Sequence, residues 1–219
     1  GSSRPWPEPG DLAKTMTHPI QSAADTSPHA VLLQTQDGLL TASELRTAVQ
    51  RCAGGLVAQG LGPGDTIGLT GPASADWLIA LHAIGWMGGI AAPLPHDVPL
   101  HEHLIAIAPD AVLAASGDGL AHPHVLPLGL SGSAVHTAYD HLADSPALKL
   151  CTSGTSGHPR AITLTWSQLD AAAHASQARL GHRQDDAWLG CLPLHHIGGL
   201  SVFLRTIRTA TRGVLHSGF

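Results

Sequence analysis

From Trp77 to Pro95 the chain carries no Asp, Glu, Lys or Arg. A run this free of charge belongs in a bilayer or in a protein core. Gly85, Gly88, Gly89, Pro93, Pro95 and His82 interrupt it, which argues for the core. Its first part is patterned as a helix, and Gly89–Leu94 reads as a strand. The expectation is a buried helix–strand unit.

The same alternation runs along most of the chain. Residues 1–17 read as a loose lead-in, with Gly1-Ser2-Ser3 of the kind left by an expression vector. Ala30–Thr35 is β-like, and Asp37-Gly38 turns it into a hairpin through Leu39-Leu40. Thr41 and Glu44 have the spacing of a capping box. Behind them Leu45, Val49, Cys52 and Leu56 recur at helical spacing until Gly60 stops the helix. Thr66–Thr70 is a strand, Ser74 an N-cap, and Ala75–Met87 a helix. A helix over Pro99–Ala108 and strands over Ala111–Ala115 and His124–Leu128 follow. Ser131–Ser145 is poorly patterned and reads as a linker or surface loop. After it come a helix over Ser167–Leu180 ended by Gly181, a strand over Asp186–Leu192, a helix over Gly199–Ala210 and a strand over Gly213–His216. Strands alternating with helices imply an α/β protein, doubly wound, with largely parallel sheets and flanking helices. No internal repeat is visible.

Composition narrows the function. With 43% hydrophobic and 12% charged residues, the chain can bury a sizeable core. A formal net charge of −5 and the lack of a basic run argue against a nucleic-acid surface. Cys52, Cys151 and Cys191 are far apart, odd in number and not spaced as zinc ligands. A reducing cytoplasm fits them. The polar, Pro-rich start is no signal peptide.

Chemistry concentrates at Leu150–Arg160, LCTSGTSGHPR. It lies between the apolar runs Ala147–Cys151 and Ala161–Leu164, so strand, hydroxyl-rich loop and strand is the simplest reading. Successive N–H groups and hydroxyls in such a loop can surround phosphate oxygens, with Arg160 supplying positive charge. Composition alone leaves an ordinary hairpin turn open. A second stretch, Cys191–Leu200, follows a strand and precedes a helix. His196 stands in that connection, and Gly198-Gly199 permits close approach at a helix start, where anions are favoured. A structural histidine is the alternative there.

Thr152–Pro159 resembles the phosphate-binding signature of the adenylate-forming superfamily, which joins acyl-CoA synthetases, amino-acid adenylation domains and luciferases. Arg160 stands where that family has Lys, and Ala161 where it usually has Gly. Arg keeps the charge but not the compact ammonium geometry. Asp37-Gly38, Thr41–Leu45, Gly62–Asp65 and Gly71–Leu94 resemble, in the right order, what precedes the loop in that family. CLPLHHIGGL resembles the family's Leu-Pro-Leu-Phe-His-Ile-x-Gly-Leu segment, with His195 in place of the aromatic. Asp185 to His216, including Ser201, looks most like the o-succinylbenzoate–CoA ligase group of menaquinone synthesis.

The resemblance implies an AMP-forming carboxylic acid–CoA ligase that uses ATP, Mg2+ and coenzyme A on a small-molecule acid. Other aryl or fatty acids are alternative substrates. Thr152, Ser153, Gly154, Thr155, Ser156, Gly157 and Arg160 would hold the nucleotide phosphates. His195, His196, Gly198, Gly199 and Ser201 would border the acyl side, with His196 catalytic. The family's later motifs, its hinge and its small domain with a catalytic Lys have no counterpart here. The expectation is therefore that residues 18–219 are an incomplete N-terminal adenylate-forming domain, the small C-terminal domain being absent and the piece alone inactive. A non-catalytic binding module is the rival reading. No P-loop Lys motif supports a kinase or ATPase, and no Gly-x-Gly-x-x-Gly a dinucleotide enzyme.

Sixteen histidines invite a metal reading through His101-x-His103, His122-x-His124 and His195-His196. Zinc needs three or four converging ligands, which these pairs do not establish. No metal held by protein side chains is expected, and magnesium would be held mainly by phosphates and water.

Overall fold

The computed structural model describes residues 15–115, 120–153 and 158–216. Strand β1 (Thr15–Met16) and helix α1 (Pro19–Thr26) lead into the hairpin β2 (Val31–Thr35) and β3 (Gly38–Thr41), then helix α2 (Ala42–Ala58). Next come β4 (Thr66–Thr70), α3 (Ala75–Trp86), β5 (Ile90–Pro93), α4 (His101–Ile107), β6 (Ala111–Ala114) and β7 (Val125–Pro127). Strand β8 (His141–Leu142) precedes the hairpin β9 (Pro146–Ser153) and β10 (Pro159–Thr165). The described chain ends with α5 (Trp166–Leu180), β11 (Ala187–Gly190), α6 (Ile197–Arg208) and β12 (Arg212–Leu215).

The strands build a six-stranded sheet in the order β10-β9-β5-β4-β6-β7 and a four-stranded sheet in the order β11-β12-β2-β3; β1 and β8 pair separately. In the large sheet only the edge strand β10 is antiparallel. In the small one only β3 is. Every residue of β4 and of β6 is buried. That loss of alternation is what a parallel strand covered on both faces requires. The α/β architecture of largely parallel sheets with flanking helices is therefore present.

Local chemistry sets most boundaries. Thr41 Oγ1 accepts from the Glu44 N–H, and Glu44 Oε2 accepts from the Thr41 N–H at 2.9 Å, closing the capping box of α2. Ser74 Oγ accepts from the Trp77 N–H at 3.2 Å and starts α3. Gly60, at φ +82°, takes the left-handed turn that ends the α2 region. A further capping box, Thr165 with Gln168, starts α5. The charge-free run is α3 followed by β5, with Trp77 and Trp86 buried. Among the described residues no helix is long and apolar enough to cross a membrane.

Two expectations need correction. The lead-in is not loose throughout: Thr15–Met16 pairs with His141–Leu142, while residues 1–14 lie outside the described residues. Nor is Ser131–Ser145 a free linker. The Gly132 N–H donates to the Arg51 carbonyl at 2.9 Å, and the Val135 N–H to that of Gln50 at 3.0 Å. Trp86 Nε1 donates to the Val135 carbonyl at 2.8 Å. The segment is bonded to the middle of α2 and the carboxyl end of α3. A Cβ on Gly54 would lie 1.7 Å from the Ser133 carbonyl oxygen, so the glycine inside α2 makes room for it.

Helix α6 rests on the small sheet through Phe203. A Cβ on Gly190 of β11 would lie 2.3 Å from that ring, and one on Gly213 of β12 would lie 2.9 Å from it. This packing aims the amino end of α6 at the large sheet.

Candidate functional site

A cleft of about 780 Å³ opens at the carboxyl ends of β5 and β9, facing the β11–α6 connection. Carboxyl ends of parallel strands are where α/β sheets bind ligands. Leu150, Cys151, Thr152, Pro159 and Ile162 of the β9–β10 hairpin line one wall. His195, His196 and Ile197 line another. Pro93, Pro95, Asp97, Val98, Pro99, Glu102 and His103 complete it.

On the hairpin, Arg160 is the register partner of Thr152, so the two side chains share a face. Thr152 Oγ1 donates to the Arg160 carbonyl at 3.3 Å. His158 Nδ1 lies 3.4 Å from Glu102 Oε1 of α4, an exposed contact. Ser153 closes β9, and Gly154, Thr155, Ser156 and Gly157 lie outside the described residues.

On the facing wall, His196 is the N-cap of α6 by backbone, with φ −100° and ψ 140°, but its side chain makes no capping bond. Its ring is thus available to the cleft. The rings of His195 and His196 lie 4.1 Å apart at 51°. Burial holds His195 below the usual histidine range; His196, His96 and His103 add to this, and Asp97 opposes it. A neutral His195 offers one ring nitrogen as donor and one as acceptor.

The two glycines that follow differ. A Cβ on Gly199 would lie 2.5 Å from the Pro193 carbonyl oxygen and 2.6 Å from that of Leu192. A Cβ on Gly198 would meet only Leu192 Cδ1, at 3.7 Å. The close approach is that of α6 to its own preceding turn. Ser201 Oγ donates back to the Gly198 carbonyl at 3.1 Å, so its hydroxyl serves the helix.

Of the residues singled out from sequence, the fold brings Thr152, His195 and His196 to one cleft and sets Arg160 on the Thr152 face. Gly198, Gly199 and Ser201 are not among the residues that line this cleft. Asp97 and Glu102 are not marked by the sequence, and His103 is marked there only as half of a histidine pair. The only other signal was position: the charge-free run ends at Pro95, immediately before His96-Asp97. A smaller cavity of about 120 Å³ adjoins, lined by Gly71, Pro72, Ala73, Trp77, His96, Cys191, His195 and His216 among others.

Of the other histidine pairs, His103 lines the cleft, while the His122–His124 pair is structural. His122 places its ring nitrogens 3.1 Å from the His124 and Pro109 carbonyls. Among the described residues, no group of three or more His, Cys, Asp and Glu side chains is arranged to hold a metal ion. Cys52, Cys151 and Cys191 are free thiols.

The donor set suits a polyanion. It comprises the Arg160 guanidinium, beside the exposed Thr152, and the amino end of the 12-residue helix α6, where His196 makes no side-chain capping bond.

The chain is similar to known proteins in sequence and fold. The chain is 26% identical over 210 residues to a 2-succinylbenzoate–CoA ligase of Bacillus cytotoxicus, covering 92% of this chain and 44% of that protein. It superposes on o-succinylbenzoate coenzyme A synthetase from Bacillus subtilis in complex with the acyl-adenylate intermediate OSB-AMP, with TM-score 0.87, 25% identity, and 94% of this chain against 45% of that one. The same enzyme in complex with ATP and magnesium ion gives TM-score 0.86 at 25% identity, covering 94% and 46%. The chain thus spans less than half the length of these relatives. Residues 20–219 match the family model described as AMP-binding enzyme, and with that match across fold and cleft the chain belongs to the AMP-binding enzyme family.

Proposed function

We propose that this chain is the front part of the large domain of an ATP-dependent carboxylic acid–CoA ligase, with residues 18–219 forming the nucleotide- and acid-binding portion and o-succinylbenzoate as the acid. The observation that carries the reading is the meeting of Thr152 with His195 and His196 across one cleft. Relatives named 2-succinylbenzoate–CoA ligase support the choice of acid.

In this reading Thr152, Ser153, Gly154, Thr155, Ser156 and Gly157 hold the triphosphate through N–H groups and hydroxyls. Arg160 adds a fixed positive charge beside them. A carboxylate oxygen of the acid attacks the α-phosphorus, and the bond to pyrophosphate breaks. His196, uncommitted to capping, hydrogen-bonds the acid group and holds it in line for that attack. Donors aimed at the developing charge do the catalytic work. The thiol of coenzyme A then attacks the acyl carbonyl, and AMP leaves. Magnesium would supply further charge neutralisation, held mainly by phosphate and water oxygens. Gly199 acts indirectly, by letting α6 start where it does.

The relatives' greater length favours a second reading for this chain alone: a binding module that holds nucleotide without turnover. ATP–pyrophosphate exchange separates the two. We expect exchange driven by o-succinylbenzoate in a polypeptide of the relatives' length, and little in the 219-residue chain. Exchange with a different acid keeps adenylation and replaces the substrate. No exchange with any acid at full length overturns the ligase reading and leaves the module.

A further inference from the structure

Away from the cleft, three histidines meet inside the protein. His18 precedes α1, where its Nδ1 accepts from the Ile20 N–H at 3.3 Å, which puts its ring proton on Nε2. His82 lies in α3 and His141 in β8. The His18 ring is 5.8 Å from His82 and 6.4 Å from His141. Trp166 stacks 4.1 Å from His141, and Trp86 lies 5.3 Å from His18. Gly85 makes the space, since a Cβ there would lie 3.0 Å from the Trp166 ring and 3.3 Å from His18 Nε2. All three histidines are buried, and among the described residues none of their Nε2 atoms has a hydrogen-bond partner.

The charged surroundings do not favour a further proton. Arg208 at the carboxyl end of α6 bears on both His18 and His82, and its own partner is Asp170 of α5. Asp140 is the acid that helps His141, and Tyr139 packs 5.4 Å from that ring. The cluster therefore ties α1, α3 and β8 to the start of α5 and the far end of α6. The opposite end of α6 carries His196 into the cleft.

We propose that His18, His82 and His141 form an acid-labile joint, whose protonation frees the carboxyl end of α6 from α1 and α5, which it packs against, and so loosens the His196 wall of the cleft. Burial, then His82, His141 and Arg208, hold His18 well below the ordinary histidine value. Burial and Arg208 bring His82 down to about 4. Burial lowers His141 as well, against the Gly85 carbonyl and Asp140. An opened joint would titrate near the ordinary value of about 6.5. The open state thus binds more protons than the closed one below that pH. The joint is intact above about 6.5 and weakens as pH falls toward about 4, by up to tenfold in the opening constant per histidine and pH unit. The inference rests on packing and not on the ligase reading.

The test is hydrogen exchange of the 219-residue chain from pH 7.5 to 5, corrected for intrinsic rates, with histidine ring protons followed by NMR. Protection in α6 and β8 is expected to fall while that in β4 and β6 persists; the His82 ring is expected not to titrate above pH 5, and the His18 and His141 rings to titrate below the ordinary histidine value. In H18N, H82Q and H141Q, the proton uptake on opening should each time drop by about one, with exposed His29→Gln as the unchanged control. Should a variant not fold, the wild-type ring titrations decide. Ordinary titration of all sixteen histidines, or loss of protection that begins in β4 and β6, overturns the joint.

Discussion

Gly198 and Gly199 look alike in sequence, yet only the second meets fixed backbone. Carbonyl oxygens cannot rotate aside as a side chain can, so a methyl on Gly199 must push the start of α6 away from Leu192 and Pro193. His196, one turn earlier, moves with it. We expect Gly199→Ala to weaken binding of an acyl-adenylate analogue at least tenfold by calorimetry, while Gly198→Ala leaves it within twofold. Equal effects would show that the close approach does not position the wall. His196 itself was legible as a site candidate because Pro-Leu-His-His-Ile-Gly-Gly is an unusual connection between strand and helix. Asp97 and Glu102 were not, and His103 stood out only as half of a histidine pair, since nothing local marks such a residue as facing a cleft formed by a distant hairpin.

At the level of elements, the strands and helices were legible because their signals are local. Ser74 and the Thr41–Glu44 pair cap helices through bonds spanning three residues, and the buried stripe of α2 repeats at the helical period. Of the two readings of Ser131–Ser145, surface loop holds and linker does not, because its order comes from bonds to α2 and α3, far away in sequence. Gly54 was the available hint: a glycine inside a helix costs about 1 kcal/mol relative to alanine unless something packs on it. Gly54→Ala should therefore destabilise the chain, by roughly 1–3 kcal/mol or more in urea denaturation, although it raises helix propensity. Trp86 emission should shift to the red as its Val135 partner is displaced. A stabilised variant would mean that the segment is not seated on α2.

Across the whole molecule, the cleft exists because two sheets point their loops at each other. The proposed cation is Arg160 on the β10 edge, facing the same way as Thr152. A charge-assisted bond to phosphate contributes about 1.5–3 kcal/mol, so Arg160→Ala should weaken ATP binding roughly tenfold or more, and less so at high salt. Arg160→Lys should restore much of it, because a point charge still binds phosphate. Unchanged affinity in both variants would remove Arg160 from the site.

The amino-acid sequence by itself determined the α/β class, the order of elements apart from β1, α1 and β8, the caps at Thr41 and Ser74, and the family resemblance of the two loops. These depend on residues close together in the chain, where period, turn chemistry and capping act. Tertiary structure alone decided that Thr152 faces His195 and His196, that Gly199 and not Gly198 is sterically required, that Ser131–Ser145 is pinned, and that His18, His82 and His141 share one interior. Those outcomes depend on which surfaces meet when helices of two sheets pack together, and contacts between residues so far apart leave no periodic trace in a single sequence.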